Sequence, residues 1–271
     1  MYRKTLDLFA DLAASKAQAM RSNLAGFLIA SAMAGAYVGI GILLIFTIGQ
    51  TIDPAVRSLA MGASFGVALT LVVFAGSELF TGHTMMMTLG LLRGAVGWGD
   101  LSASWILTWI GNLAGSVILA WLFYQGGGGQ ILKEGADLIF NVSAYKMNSP
   151  AGALVARGIL CNWLVCLALW TSARATSDAA KCILIFWCLF AFIACGFEHS
   201  VANMTIFAVA LLGNHPASVS FSGMAHNLAW VTLGNAIAGA FFMAGAYWRV
   251  NGATKTVSTA PTRASLPAAA E

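Results

Sequence analysis

Six long apolar stretches dominate this chain, at roughly 24 to 48, 59 to 92, 102 to 125, 151 to 173, 182 to 213 and 223 to 248. Each supplies the about 20 helical residues that cross a hydrocarbon core about 30 Å thick. With 59% hydrophobic and 9% charged residues, against about 25% charged in soluble domains, the chain lacks the polar surface to cover six such segments in water. An all-α integral membrane protein with six transmembrane helices is expected. The first stretch is too long for a signal peptide and no small-residue cleavage site follows it, so the amino-terminal region is expected to be retained.

Loops richer in Lys and Arg stay on the cytoplasmic side of a membrane. Arg3, Lys4, Lys16, Arg21, Arg93, Arg174, Lys181, Arg249, Lys255 and Arg263 fall on one side of the six spans, against Arg57, Lys133, Lys146 and Arg157 on the other. Both termini are therefore expected in the cytoplasm. The net charge of +4 follows from this distribution, and its scattered basic residues form no stripe with aromatics, which excludes nucleic acid as a partner. Cys161, Cys166, Cys182, Cys188 and Cys195 all lie in apolar stretches, at spacings that suit neither a disulfide framework nor a zinc site. They are expected to pack, with no metal and no cofactor.

The two halves echo each other. Gly76-Ser-Glu78-Leu-Phe-Thr81 returns as Gly196-Phe-Glu198-His199-Ser-Val, 120 residues later, and Gly111-Asn112 returns as Gly234-Asn235, 123 later; Gly35 lines up with Gly158. Three spans per half is an odd number, so the second half enters the membrane from the opposite side, and a 3+3 inverted repeat is expected. The repeats run from about 23 to 125 and from 150 to 250, joined by a Gly-rich linker at 126–149, so that 23–250 forms one transmembrane domain. Residues 1–22 carry Leu6, Phe9, Ala13, Ala17 and Met20 at helical spacing, which predicts an amphipathic cytoplasmic helix. The Ala-, Thr-, Ser- and Pro-rich tail at 251–271 is expected to be disordered.

Stretches two and five run about 34 and about 32 residues, too long for one straight crossing and too short for two with a turn. Broken second and fifth helices resolve this, with breaks at Gly76 to Gly82 and Gly196 to Asn203, where small and polar residues interrupt the apolar run. Glu78 and Glu198 are the two acidic residues inside the apolar stretches. A carboxylate at bilayer depth costs about 2.5 to 3.5 kcal/mol and needs partners. Placed just past a helix end, each is expected to accept orphan backbone N–H groups and, with Asn203, to hold its break in shape; ion coordination or proton relay is the alternative. His199, beside Glu198, is the leading pathway candidate, against a neutral imidazole bonded to nearby backbone. Thr81 sits in the first break, so breaks that meet mid-membrane bring a hydroxyl toward that imidazole.

Glu78-Leu-Phe-Thr-Gly-His-Thr-Met85, Cys161-Asn-Trp-Leu-Val165, Gly196-Phe-Glu-His-Ser-Val-Ala-Asn-Met204 and Val231-Thr-Leu-Gly-Asn235 resemble signature segments of the formate/nitrite transporter family, over all six spans. The Thr81-Gly-His-Thr84 run is more similar to the family's bacterial nitrite channels than to its formate channel, which lacks a His at the position of His83. The resemblance implies an aquaporin-like fold, a homopentamer with one pore per protomer in the bacterial inner membrane, and passage of nitrite or, after protonation, nitrous acid, with no enzymatic activity. It also makes His199 the central pore histidine, Thr81 its partner and Asn162 a polar pore-lining group. Phe65, Leu69, Leu79, Phe80 and Phe192 match its apolar constrictions, and Lys16 and Lys146 its cytoplasmic and periplasmic mouth charges. From the residues alone, the apolar five read as packing and the lysines as surface groups. His83 either tunes nitrite preference or packs, and Arg157 is expected to snorkel to the interface.

An apolar slit rejects a bare anion, which would lose its hydration unreplaced, whereas a neutral acid meets a smaller penalty, so protons join nitrite as partners. Three rival readings share some of these features. A water or glycerol channel would share the two half-spanning breaks, but no Asn-Pro-Ala occurs at either. An intramembrane serine hydrolase would use Ser222 and His226 at i and i+4, without a strained nucleophile turn. Formate, another small monocarboxylate or hydrosulfide would keep the fold and change the cargo.

Overall fold

The computed structural model describes residues 2–253, all helices and turns with no strand among the described residues. The tail expected to be disordered over 251–271 lies, beyond Ala253, outside the described residues. The chain runs as α1 (Arg3–Ser22), α2 (Leu24–Thr51), a 3₁₀ turn (Pro54–Val56), α3 (Arg57–Ser64), α4 (Gly66–Ala75), α5 (Phe80–Arg93), α6 (Trp98–Gln125) and α7 (Leu138–Met147). It continues through α8 (Ala151–Ser172), α9 (Asp178–Ala194), α10 (Ser200–Leu212), α11 (Phe221–Ile237), a π-helical stretch (Ala238–Gly245) and α12 (Ala246–Val250). Five segments are long and apolar enough to cross a bilayer: Leu24–Thr51, Pro54–Ala75, Trp98–Gln125, Ala151–Ser172 and Phe221–Val250.

The expected amphipathic helix is α1. Leu6, Phe9, Ala13, Ala17 and Met20 are buried on one face, Phe9 stacks on Trp170 with ring centroids 5.7 Å apart, and Asp7 pairs with the buried Arg93 of α5. Asn23 then starts α2 by accepting the Gly26 N–H at 2.9 Å, a side-chain cap that satisfies one orphan donor.

The second apolar stretch divides into α3, α4 and α5, and the fifth into α9 and α10. α4 stops at Gly76, φ +74°, and α9 runs into Gly196, φ +71°. Left-handed backbone is cheap only for glycine, so each Gly turns the chain out of its helix. The stretch expected as a plain linker at 126–149 contains α7. Ile139, Ser143 and Met147, four apart, are buried there, a helical face too short to stand out beside four glycines.

Two helix pairs cross at small residues. A Cβ on Gly35 or Gly115 would collide with the backbone of Asn112 or Ala32, which fixes α2 directly against α6. Gly234 likewise abuts the Val155 carbonyl, and a Cβ on Gly158 would come 2.9 Å from the Val231 carbonyl, which fixes α8 against α11. Close backbone approach of this kind is how helices associate in lipid, where no hydrophobic drive separates them from solvent.

Candidate functional site

Both interruptions are held by the same set of hydrogen bonds. Asn112 of α6 accepts the Phe80 N–H through Oδ1 at 2.9 Å and donates through Nδ2 to the carbonyls of Glu78 (2.9 Å) and Ser31 (2.7 Å). Asn235 of α11 accepts the Ser200 N–H at 2.9 Å and donates to the carbonyls of Glu198 (3.0 Å) and Gly158 (2.8 Å). The backbone N–H of Glu78 reaches the Ala30 carbonyl, and that of Glu198 the Arg157 carbonyl, each at 3.2 Å. These contacts pair Ala30 with Arg157 and Ser31 with Gly158, so Gly35 and Gly158 are not equivalent positions. The sequence alignment of those two glycines was four residues out of register.

The Glu side chains do not take the backbone N–H groups that were expected of them. Asparagines do, because an amide can accept from one strand of backbone and donate to two carbonyls, whereas a carboxylate only accepts. Glu78 instead receives Lys16 Nζ at 2.5 Å on Oε1 and His83 Nε2 at 2.7 Å on Oε2. Glu198 receives Lys146 Nζ at 2.8 Å and Asn203 Nδ2 at 2.6 Å, both on Oε2. Asn203 also donates to Asn227 Oδ1 at 2.8 Å, and Asn227 to the Lys146 carbonyl at 2.9 Å. Arg157, expected to snorkel away, turns inward: its Nη1 donates to the Tyr145 hydroxyl at 2.9 Å and lies 3.9 Å from Glu198 Oε1.

The amino-terminal ends of α5 and α10 bring Thr81 and His199 together, Oγ1 to Nε2, at 3.1 Å. Nδ1 of His199 accepts the Ala202 N–H at 3.1 Å and so caps α10. That bond fixes the tautomer: the ring proton sits on Nε2 and points at Thr81. The Phe192 ring lies nearly parallel to the imidazole, centroids 6.0 Å apart, with Phe65 edge-on behind it at 5.4 Å. Asn162, expected to line a pore, sits behind Thr81. It donates to Thr84 Oγ1 (2.9 Å), the Thr81 carbonyl (3.3 Å) and the Asn235 carbonyl (2.6 Å), three residues before the π-helical stretch. A side chain drawn into the helical ladder is a known origin of such a bulge.

Two cavities flank this contact. One, of about 340 Å³, is lined by His199, Phe192, Asn203, Lys146 and Arg57. The other, of about 330 Å³, is lined by Lys16, Glu78, His83, Leu69, Leu79 and Lys181. The two groups of cations follow the two sides assigned by the loop-charge count. Leu79 and Leu69 thus face the Lys16 cavity and Phe192 the Lys146 cavity. Phe65 and Phe80 line neither, although both belong to the same buried cluster; Phe80 packs edge-on to Trp105, centroids 6.4 Å apart.

Asn112, Asn235, Asn227 and Ser104 were missed by sequence reasoning as site residues. The Gly-Asn pairs stand out in the sequence as a repeat, but a mid-helix Asn gives no sign of which backbone it will hold. Ser222 and His226 do not meet: the Ser222 hydroxyl lies 3.1 Å from that of Ser220, and His226 Nε2 lies 3.0 Å from the Ser149 carbonyl. Cys161 and Cys166 are buried as expected, whereas Cys195 is exposed.

The formate/nitrite transporter family profile matches residues 4–249. A nitrite transporter, NirC, of Escherichia coli (strain K12) is 52% identical over 248 residues, covering 92% of each chain. A solved structure described as an FNT family ion channel superposes with a TM-score of 0.89 at 51% identity, covering 92% of this chain and 99% of its own. A pentameric formate channel with formate bound gives a TM-score of 0.71 at 28% identity, covering 86% and 99%. With its long apolar helices, the chain is a multi-pass membrane protein that belongs to the formate/nitrite transporter family.

Proposed function

We propose that the protein is a nitrite channel of the bacterial inner membrane, passing nitrite or nitrous acid through a pore in each protomer of a homopentamer. The NirC relative at 52% identity supports the cargo, and the pentameric formate channel supports the assembly. In this reading 23–250 is one channel domain of six spans arranged as a 3+3 inverted repeat. The second span is broken between α4 and α5 and the fifth between α9 and α10. The matched bonds of Asn112 and Asn235 support that symmetry, residue for residue. The Lys16 cavity is cytoplasmic, the Lys146 cavity periplasmic, and both termini are cytoplasmic, following the positive-inside rule.

The observation that carries the proposal is the His199–Thr81 contact lying between two cavities that each hold a lysine. Nitrite gathers beside Lys146 or Lys16, whose charges raise its local concentration. The way between is apolar, through Phe192, Leu79 and Leu69, with Phe65 backing the ring, and a desolvated anion is penalised there far more than the neutral acid. Glu78 and Glu198 keep the lysines in place within the membrane, with Asn203 bracing Glu198. At the centre, the Nε2–H of His199 and the hydroxyl of Thr81 offer donors to the passing oxygens. Helix amino-terminal ends converge there, favouring negative charge. The proton that neutralises nitrite comes from water at a mouth, or from Nε2 of a His199 ring that has first taken a second proton on Nδ1 in place of the Ala202 N–H bond, with Thr81 poised to bridge.

Stopped-flow light scattering on proteoliposomes tests this, with nitrite, formate and glycerol presented separately to wild type and His199→Asn. Asn is a good helix cap, so the variant keeps the start of α10 while losing the ring. Nitrite faster than formate, glycerol excluded, and an altered pH dependence in the variant are expected. Rapid glycerol uptake unaffected by the substitution would overturn the anion reading; formate faster than nitrite would reassign the cargo.

A further inference from the structure

Each of the two cavities holds a lysine paired with a buried glutamate, and the two differ in what else meets the carboxylate. Five residues after each Glu stands the group that braces its carboxylate: Asn203 for Glu198, but His83 for Glu78. On the Asn203 side a second cation is permanent, since Arg157 Nη1 lies 3.9 Å from Glu198 Oε1 beside Lys146. On the His83 side the second cation exists only when the imidazole is doubly protonated.

We propose that His83 is a positioning residue that sets, through Glu78, the charge the Lys16 cavity presents to an incoming anion. The proposal rests on the channel reading above and adds an asymmetry between the two mouths. With a neutral ring, Nε2–H donates to Glu78 Oε2 and Nδ1 accepts from the Ser104 hydroxyl, at 2.7 and 2.6 Å. Lys16 is then matched one to one by Glu78. When a proton from water in the cavity binds Nδ1, that nitrogen donates to Ser104 Oγ instead. A hydroxyl serves either state, so the ring can change charge without moving. Glu78 now faces two cations, one on each oxygen, and the cavity carries one positive charge in excess.

The surroundings leave this balance to those three groups. From α2, Phe27 meets the ring edge-on, centroids 6.0 Å apart; from α6, Trp105 donates its indole N–H to the His83 carbonyl at 3.2 Å. Lys181 of α9 lines the same cavity but is paired with Asp178 at 2.8 Å. Arg21 of α1 is paired with Asp100 of α6 at 3.1 Å. Of the two groups that brace the glutamates only the His83 ring can take up a second proton, so the extra charge depends on protons that reach it from the Lys16 cavity. Asn203 cannot do this, and the opposite mouth keeps a constant charge.

Two measurements on the full chain in lipid test the proposal. The first is ¹⁵N NMR of histidine-labelled protein, with the His83 signals assigned among the four histidines by their loss in His83→Asn. Spectra are recorded from about pH 8 to about pH 5, and a change in the protonation state of His83 is expected. A ring that keeps one protonation state across that range overturns the proposal, whatever the cargo. The second compares nitrite flux in inside-out and right-side-out vesicles, scoring for each protein the ratio of flux at acid pH to flux at alkaline pH. In inside-out vesicles the wild-type ratio should exceed that of His83→Asn by about threefold, and in right-side-out vesicles the ratios should agree. Equal ratios in both orientations would overturn it. Loss of nitrite flux by wild type in both would sink the channel reading alone, leaving the NMR arm to decide the charge of His83.

Discussion

Thr81 Oγ1 and His199 Nε2 meet at 3.1 Å although 118 residues separate them, and each is delivered by the first turn of a different short helix. The partner is fixed at both ends: Asn162 and Thr84 hold the Thr81 carbonyl, and the Ala202 N–H holds the far side of the imidazole. Removing the hydroxyl should therefore change the site without unfolding it.

Thr81→Ser keeps the oxygen and should retain most nitrite flux. Thr81→Val keeps the shape and leaves the His199 N–H without its partner, a loss of about 1 to 3 kcal/mol for a buried donor. Flux in the proteoliposome assay should fall by about tenfold in Thr81→Val. Equal flux in the two variants would show that the hydroxyl has no part in passage.

Asn112 and Asn235 each make three hydrogen bonds to backbone, two of them to an N–H and a carbonyl at the interruption that no helix satisfies. Replacement by Ala leaves a buried N–H and a carbonyl unpaired and removes a further bond to a helical carbonyl, so either variant should lose about 3 kcal/mol or more of stability. Thermal unfolding in detergent would register this as a large drop in Tm. By comparison Ser222→Ala, at an exposed hydroxyl, should leave both Tm and flux unchanged.

The long apolar stretches, the glycines at which α4 and α9 end and the two buried Glu residues were legible because lipid leaves a chain few ways to satisfy its backbone. The buried face of α1 was equally plain, since Leu6 through Met20 recur at helical spacing. α7 was hidden by its brevity, and with it the reason why Lys146 points inward at Glu198. The role of Asn112 was illegible for a different reason. Its value lies in carbonyls and N–H groups of Ser31, Glu78 and Phe80, which side-chain identities do not encode. The same holds for Asn162, which resemblance placed on the pathway and the structure places behind Thr81.

Lys146→Met should destabilise more than Glu198→Gln. The first leaves the buried Glu198 carboxylate with Asn203 and only the longer, 3.9 Å contact to Arg157 Nη1, and breaking a buried ion pair costs up to about 3 to 5 kcal/mol. The second leaves Lys146 lining the cavity, where its ammonium can be hydrated. Combining the two changes removes both charges, so the double variant should regain stability relative to Lys146→Met. Additive losses in unfolding measurements would count against a coupled pair.

Gly35→Ala and Gly99→Ala separate close packing from helix preference. Gly99 lies near the start of α6 with open space where a Cβ would stand, so alanine should be neutral or stabilise by up to about 1 kcal/mol. At Gly35 the added Cβ runs into the backbone carbonyl of Asn112, which cannot swing aside as a side chain would. α6 must move away from α2, and Asn112 moves with it, releasing the Phe80 N–H at the start of α5. Because Thr81 is the next residue, the strain reaches the His199 contact directly. Gly35→Ala should thus lower Tm and nitrite flux together, while Gly99→Ala leaves flux at the wild-type level. A Gly35→Ala channel with normal flux would show that the position of Asn112 is not what holds Thr81 opposite His199.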